Sequence, residues 1–113
     1  MKKTALTLAY DTELYAARHL IHAGDLDQAF KKLETAHVLG QRHVLRHVQT
    51  HWFMLKIGYQ RNSAREMSGQ LLRIMLGAIG SCIGIVPTGN TGGTNVGIFK
   101  RMPIAAELQK LLR

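Results

Sequence analysis

The stretch Ala23-Gly24-Asp25-Leu26-Asp27-Gln28-Ala29 decides the fold. Gly24 lacks the Cβ that penalises a left-handed backbone, so it stops a helix readily. Asp25 follows as an N-cap whose carboxylate can accept from the first free amides of the next helix. A stop and a start with no linker between them turn the chain back on itself as an αα-hairpin. Upstream, Leu6, Ala9, Tyr10, Ala17, Leu20 and Ile21 fall at helical spacing between Thr4 and Ala23. Downstream, Leu26, Ala29, Phe30, Leu33, Ala36 and His37 form one stripe of a second helix that ends near Gly40.

The same pattern recurs further along. A third helix is expected from about Gln41 to Tyr59, with Val44, Val48, Phe53, Leu55 and Ile57 apolar. Arg61-Asn62-Ser63 reads as a turn with a cap, and Ala64 to about Ile79 as a fourth helix. The turns at Gly24 and Arg61 are 37 residues apart, near the period of about 34 of tetratricopeptide repeats. Two such units are too few for a solenoid, which needs about three, so they must close on each other as a bundle. Gly84, Pro87, Gly89, Gly92, Gly93 and Gly97 then break any helix, and Pro103 opens a short last one over Ile104 to Leu112. The expected fold is all-α over residues 1–113 as one domain. It has two tetratricopeptide-like helix pairs, an ordered glycine-rich loop and a short C-terminal helix.

Composition agrees with a globular chain and narrows its chemistry. Of 113 residues, 46% are hydrophobic and 19% charged, against the balance of disordered segments. The net charge is +8, which attracts anions without naming one. Cys82 is the single cysteine, so no internal disulfide and no all-cysteine zinc site can form; its apolar neighbours point to a buried structural thiol. The Met1-Lys2-Lys3 start resembles a signal peptide, but Asp11 and Glu13 break the apolar run. The apolar stretch from Ile74 to Val86 is 13 residues, short of the ~20 needed to span a bilayer. The expectation is a cytoplasmic protein with no membrane partner, whose apolar residues from Ile79 to Val86 favour a homo-oligomer.

Histidines carry the functional argument. His43, His47 and His51 recur every four residues and so share a helix face, while Glu34 and His37 share a face of the preceding helix. Reversal of the chain near Gly40 would set His37 opposite His43 and Glu34 opposite His47. Carboxylate and imidazole groups on facing helices are the ligand arrangement of metal-binding bundles. The expected metal site comprises Glu34, His37, His43, His47 and His51, and imidazole-rich ligands select a divalent first-row ion, zinc or copper foremost. The rise from His43 to His51 is about 12 Å, too long for all three to serve one ion. His19 and His22 belong to the C-terminal surface of the first helix, where the helix dipole favours them.

The loop Pro87-Thr88-Gly89-Asn90-Thr91-Gly92-Gly93-Thr94-Asn95 lacks both the P-loop ending and the dinucleotide fingerprint. It reads as an ordered cap over the bundle, with Gln70 and Arg73 of the fourth helix bonding its carbonyls. Asn90, Thr91 and Asn95 are its candidate ligand-binding residues.

At Ala36-His37-Val38-Leu39-Gly40-Gln41, His47-x-x-x-His51-Trp52, Gly69-Gln70-Leu71-Leu72-Arg73 and Gly89-Asn90-Thr91-Gly92-Gly93, the chain resembles a small uncharacterised bacterial family marked by the Gly-Asn-Thr-Gly-Gly motif. The resemblance runs from about Ala9 to Leu111. It implies a compact stand-alone protein, and an association with heavy-metal resistance genes implies a role in metal homeostasis or resistance. It supplies no catalytic residues.

Two other functions compete with metal binding. Arg42, Arg46, Lys56, Arg61, Arg65 and Arg73 on the middle helices offer a basic face to nucleic acid or an acidic protein, though no reader motif accompanies them. A metal-dependent enzyme would use the histidines as ligands or general bases. No nucleophile or substrate pocket is legible, which weighs against an enzyme.

Overall fold

Each helix boundary has a local cause. In the computed structural model, which describes residues 3–83, 89–97 and 100–113 apart from the side chains at 78 and 81–83, α1 spans Ala5–Ala23. The Thr4 hydroxyl accepts from the Thr7 amide at 3.1 Å to start it. Gly24 ends it in the left-handed conformation, φ 80°. There the Gly24 and Asp25 amides donate to the carbonyls of Ile21 and Leu20 at 3.1 and 3.0 Å. Asp25 then caps α2 (Leu26–Gly40) by accepting from the Gln28 amide at 3.3 Å.

The second hairpin is α3 (Val44–Gln60) and α4 (Ala64–Ile83). Asn62 takes the left-handed turn position, φ 53°, and the Ser63 hydroxyl caps α4 by accepting from the Glu66 amide at 3.1 Å. A short α5 (Ala106–Leu112) closes the chain. The described residues contain no strand. The all-α reading and its two hairpins therefore hold. The expected burial of Cys82, the Pro87-Thr88 start of the loop and the end of the Ile74 to Val86 stretch lie outside the described residues.

Helix α2 ends at Gly40 as read in the sequence, while other boundaries differ. The third helix starts at Val44, because His43 is extended (φ −111°, ψ 116°) and acts as its N-cap. Gly40 is not a left-handed stop. It ends α2 where a Cβ would lie 2.8 Å from both Tyr10 Cε2 and Arg46 Cβ, so it is required for close packing. The fourth helix continues to Ile83 rather than ending near Ile79.

The core is built from Tyr10, Leu14 and Ala17 of α1, Ala29, Leu33, Ala36 and Leu39 of α2, and Met54 and Ile57 of α3. Helix α1 packs on α2 and α3 on α4, while the narrower packing of α2 on α3 joins the two hairpins. The Tyr10 hydroxyl crosses that junction and lies 3.0 Å from the Arg46 carbonyl. Among its described side chains, helix α4 adds none to this apolar core; those it buries are Gln70 and Arg73.

Candidate metal centre

The seam between the hairpins is polar where α2, α3 and α4 meet. His37, near the end of α2, is 2% exposed; His47 and His51, one turn apart on α3, are 5% and 2% exposed. Their rings fan toward a common point, with centroids 4.6–4.9 Å apart. His37 Nε2 lies 3.0 Å from His51 Nε2, which lies 3.2 Å from His47 Nε2. One ligand nitrogen from each of the three falls within 4.8 Å of the others. Ligands about 2.0–2.1 Å from a tetrahedral zinc ion are roughly 3.4 Å apart, so the spacings of His51 to His37 and to His47 suit a shared ion.

The outer nitrogens fix the tautomers. His37 Nδ1 is 2.6 Å from the Asn90 carbonyl, which can only accept, so Nδ1 carries the proton. His51 Nδ1 is 2.6 Å from Gln70 Oε1. The Gln70 amide cannot be reversed, because its Nε2 already donates to Glu66 Oε1 at 2.9 Å and to the Gly92 carbonyl at 3.0 Å. His51 therefore also carries its proton on Nδ1. Both inner Nε2 atoms then present lone pairs to each other across 3.0 Å. Such a contact is repulsive unless a cation lies between the two nitrogens.

Protonating a ring is the costly way to supply one. Burial pulls the pKa of His37 far down, and the neighbouring His51 and His47 pull it further. Burial likewise lowers His51 to about 3, against a raising hydrogen bond from Gln70, and lowers His47 to about 4. All three imidazoles are neutral at pH 7, which is the state that ligates metals.

Small residues and the loop hold the rings in place. A Cβ on Gly92, where φ is 87°, would lie 2.7 Å from His37 Cδ2, and one on Gly77 of α4 would lie 2.9 Å from His47 Cε1. Gln70 pins the loop through the Gly92 carbonyl, and Arg73 does so through the Val96 carbonyl at 2.6 Å, as the sequence suggested. Thr94 donates to Glu66, extending the chain His51–Gln70–Glu66 to the loop. The outer-shell carbonyls of Asn90 and Gln70 were not legible in the sequence, since partners 53 and 19 residues away carry no local signal.

The other sequence-derived candidates are engaged in other ways. His43 is exposed, with Nδ1 3.5 Å from the Arg46 amide that it caps. His37 therefore faces His51 rather than His43. Glu34 is partly buried; burial raises its pKa, opposed by a hydrogen bond from Thr91. Asn90 spends its side chain within the loop, donating to the Gly97 and Lys100 carbonyls at 2.8 and 2.7 Å and accepting from the Gly92 amide at 2.8 Å. Asn95 lines an open groove of about 530 Å³ with Glu34, Glu66, Phe30 and Lys31, and none of the three clustered histidines forms its wall. His19 and His22 are exposed near the end of α1.

The family described as "Protein of unknown function (DUF3703)" matches residues 4–112, and the chain belongs to it. No curated protein and no solved structure matches the chain.

Proposed function

We propose, from membership of a family of unknown function and the geometry of three converging imidazoles, that this chain is a small cytoplasmic metal-binding protein. His37, His47 and His51 are its ligands, each through Nε2. The observation that carries the reading is the His37–His51 contact, where two lone pairs meet at 3.0 Å with their other nitrogens fixed by the Asn90 carbonyl and Gln70 Oε1. Hydrogen-bonded outer nitrogens are the usual support of metal-bound imidazoles.

Zinc and copper suit an all-imidazole set. Three protein nitrogens leave a fourth coordination position for water or an exchangeable ligand. The ligands' burial favours holding and passing on an ion in metal homeostasis or resistance over turning over a substrate. The nucleic-acid alternative has less support, because much of its basic face is engaged within the chain. Arg46 donates to Thr7, Lys56 lies over Phe53 at 4.9 Å, Arg61 pairs with Asp27 and Arg73 bonds Val96.

The test is metal content and affinity of tag-free protein offered zinc and copper in turn. About one ion per chain is expected, and its loss in His37→Ala and His51→Ala but not in His43→Ala. A wild-type affinity no tighter than about 0.1 mM, roughly 5.5 kcal/mol, would overturn the reading.

A further inference from the structure

Helix α4 has its polarity reversed. Its inward side chains are Glu66, Gln70 and Arg73, committed to the loop and to His51, with Gly77 against His47. Its outward side chains are Leu71, Leu72, Met75, Leu76 and Ile79, exposed by 38–67%. At 100° per residue these five occupy a strip about 140° wide. From Met67 to Ile83 the only charged residue is Arg73, which turns inward to Val96.

The neighbouring helix continues the surface. Leu45, Val48, Trp52, Leu55 and Tyr59 of α3 repeat at intervals of three and four residues, the pattern of a helix-pairing seam. Leu45, Trp52 and Tyr59 are 74%, 50% and 69% exposed. Eight of the ten large exposed hydrophobic residues among those described therefore belong to the α3–α4 hairpin.

We infer that the outer face of α3–α4 is a self-association surface whose occupant is a second copy of this chain, paired about Met75 of α4. Two comparisons of area support it. Eight side chains of about 200 Å² each, a little over half exposed, present on the order of 900 Å², where a stable interface takes about 800 Å² from each partner. The whole chain exposes 6989 Å², while a monomer of this mass is expected to expose about 6,200 Å². The difference is about one partner's share of such an interface.

Symmetry selects the occupant. Leu71 and Ile79 lie four residues either side of Met75, so an antiparallel two-fold pairing sets each Leu71 against the other copy's Ile79. Each copy carries +8, which opposes pairing, and the strip without an outward charge is where two such chains meet with least repulsion. The surface lies on the side of α4 away from the histidines, so this inference is independent of the metal reading.

The test is solution mass by light scattering and sedimentation across about 1–200 µM protein. A mass of about 25 kDa, twice the chain's 12.6 kDa, is expected. Met75→Lys should return the chain to 12.6 kDa with unchanged helical circular dichroism, at least a 100-fold weaker association. Leu8→Lys, at an exposed position of α1, should leave the dimer intact. Because Met75→Lys adds charge, Leu72→Ala with Leu76→Ala serves as a second, neutral disruption and should weaken the dimer in the same direction. A monomeric wild type over the whole range overturns the inference, and its binding to anionic vesicles would assign the face to lipid instead. A dimer that survives both sets of substitutions overturns it equally.

Discussion

At the residue scale, burial of neutral histidines makes stability depend on pH with a definite sign. An unfolded chain takes up protons at these positions as pH falls through about 6.5, whereas folded His47 and His51 resist until about 4 and 3. The unfolded state binds more protons in that window, so stability present above pH 6.5 is lost as the pH falls toward 4. Each such histidine contributes up to about 1.4 kcal/mol per pH unit. Metal-free protein is expected to show a denaturation midpoint that drops steeply between pH 6.5 and 4, and His51→Gln should flatten that slope by about one proton. Equal slopes in both proteins would mean that His51 ionises freely in the fold. With metal bound the same protons compete for the ligands, so acid also releases the ion.

At the scale of elements, two glycines set how closely the loop and α4 approach the rings. Gly92→Ala would demand both a left-handed backbone and a Cβ 2.7 Å from the His37 ring. It should cost about 1–3 kcal/mol and weaken metal binding roughly 10- to 100-fold, the usual effect of disturbing a ligand's support. Gly24→Ala is the control, since its φ is also 80° but nothing lies within 4 Å of the added atom. It should lower stability by about 1–2 kcal/mol and leave metal affinity unchanged. Titration of both variants with zinc, followed by thermal melts, separates the two effects. What the sequence disclosed follows the same division. Local chemistry at Gly24-Asp25 and Asn62-Ser63 marked both hairpins, and the four-residue spacing of His47 and His51 marked their shared face. Periodicity could not show that His43 precedes the helix as its cap, because a cap and a first turn differ in backbone angle rather than in residue spacing. It also could not show that Asn90 meets His37, since that contact exists only once the loop folds over the seam.

At the scale of the molecule, the histidines sit at the junction between its two hairpins, which is narrower than the packing within either. His37 belongs to the first hairpin and His47 and His51 to the second, so one ion bound to all three would cross-link the hairpins through the α2–α3 seam. Without it, the seam retains apolar contacts such as Leu33 and Met54 but also three neutral rings and the repulsive His37–His51 contact. Metal should therefore raise cooperativity as well as stability. Ligand at about 100 times its Kd adds about 2.7 kcal/mol, and each kcal/mol shifts the midpoint of a domain this size by about 4–8 °C. The melting temperature is thus expected to rise by about 10–20 °C. Trp52, the chain's one tryptophan, lies on α3 and reports the second hairpin, whereas circular dichroism reports all helices. The two signals should melt together in metal-loaded protein and separate after chelation, as the hairpins lose their cross-link. His51→Ala should behave like chelated protein whether or not metal is added. If occupancy is measured at one ion per chain and the two signals remain coincident at an unchanged temperature after its removal, the ion binds without bridging, and the seam holds by its apolar contacts alone.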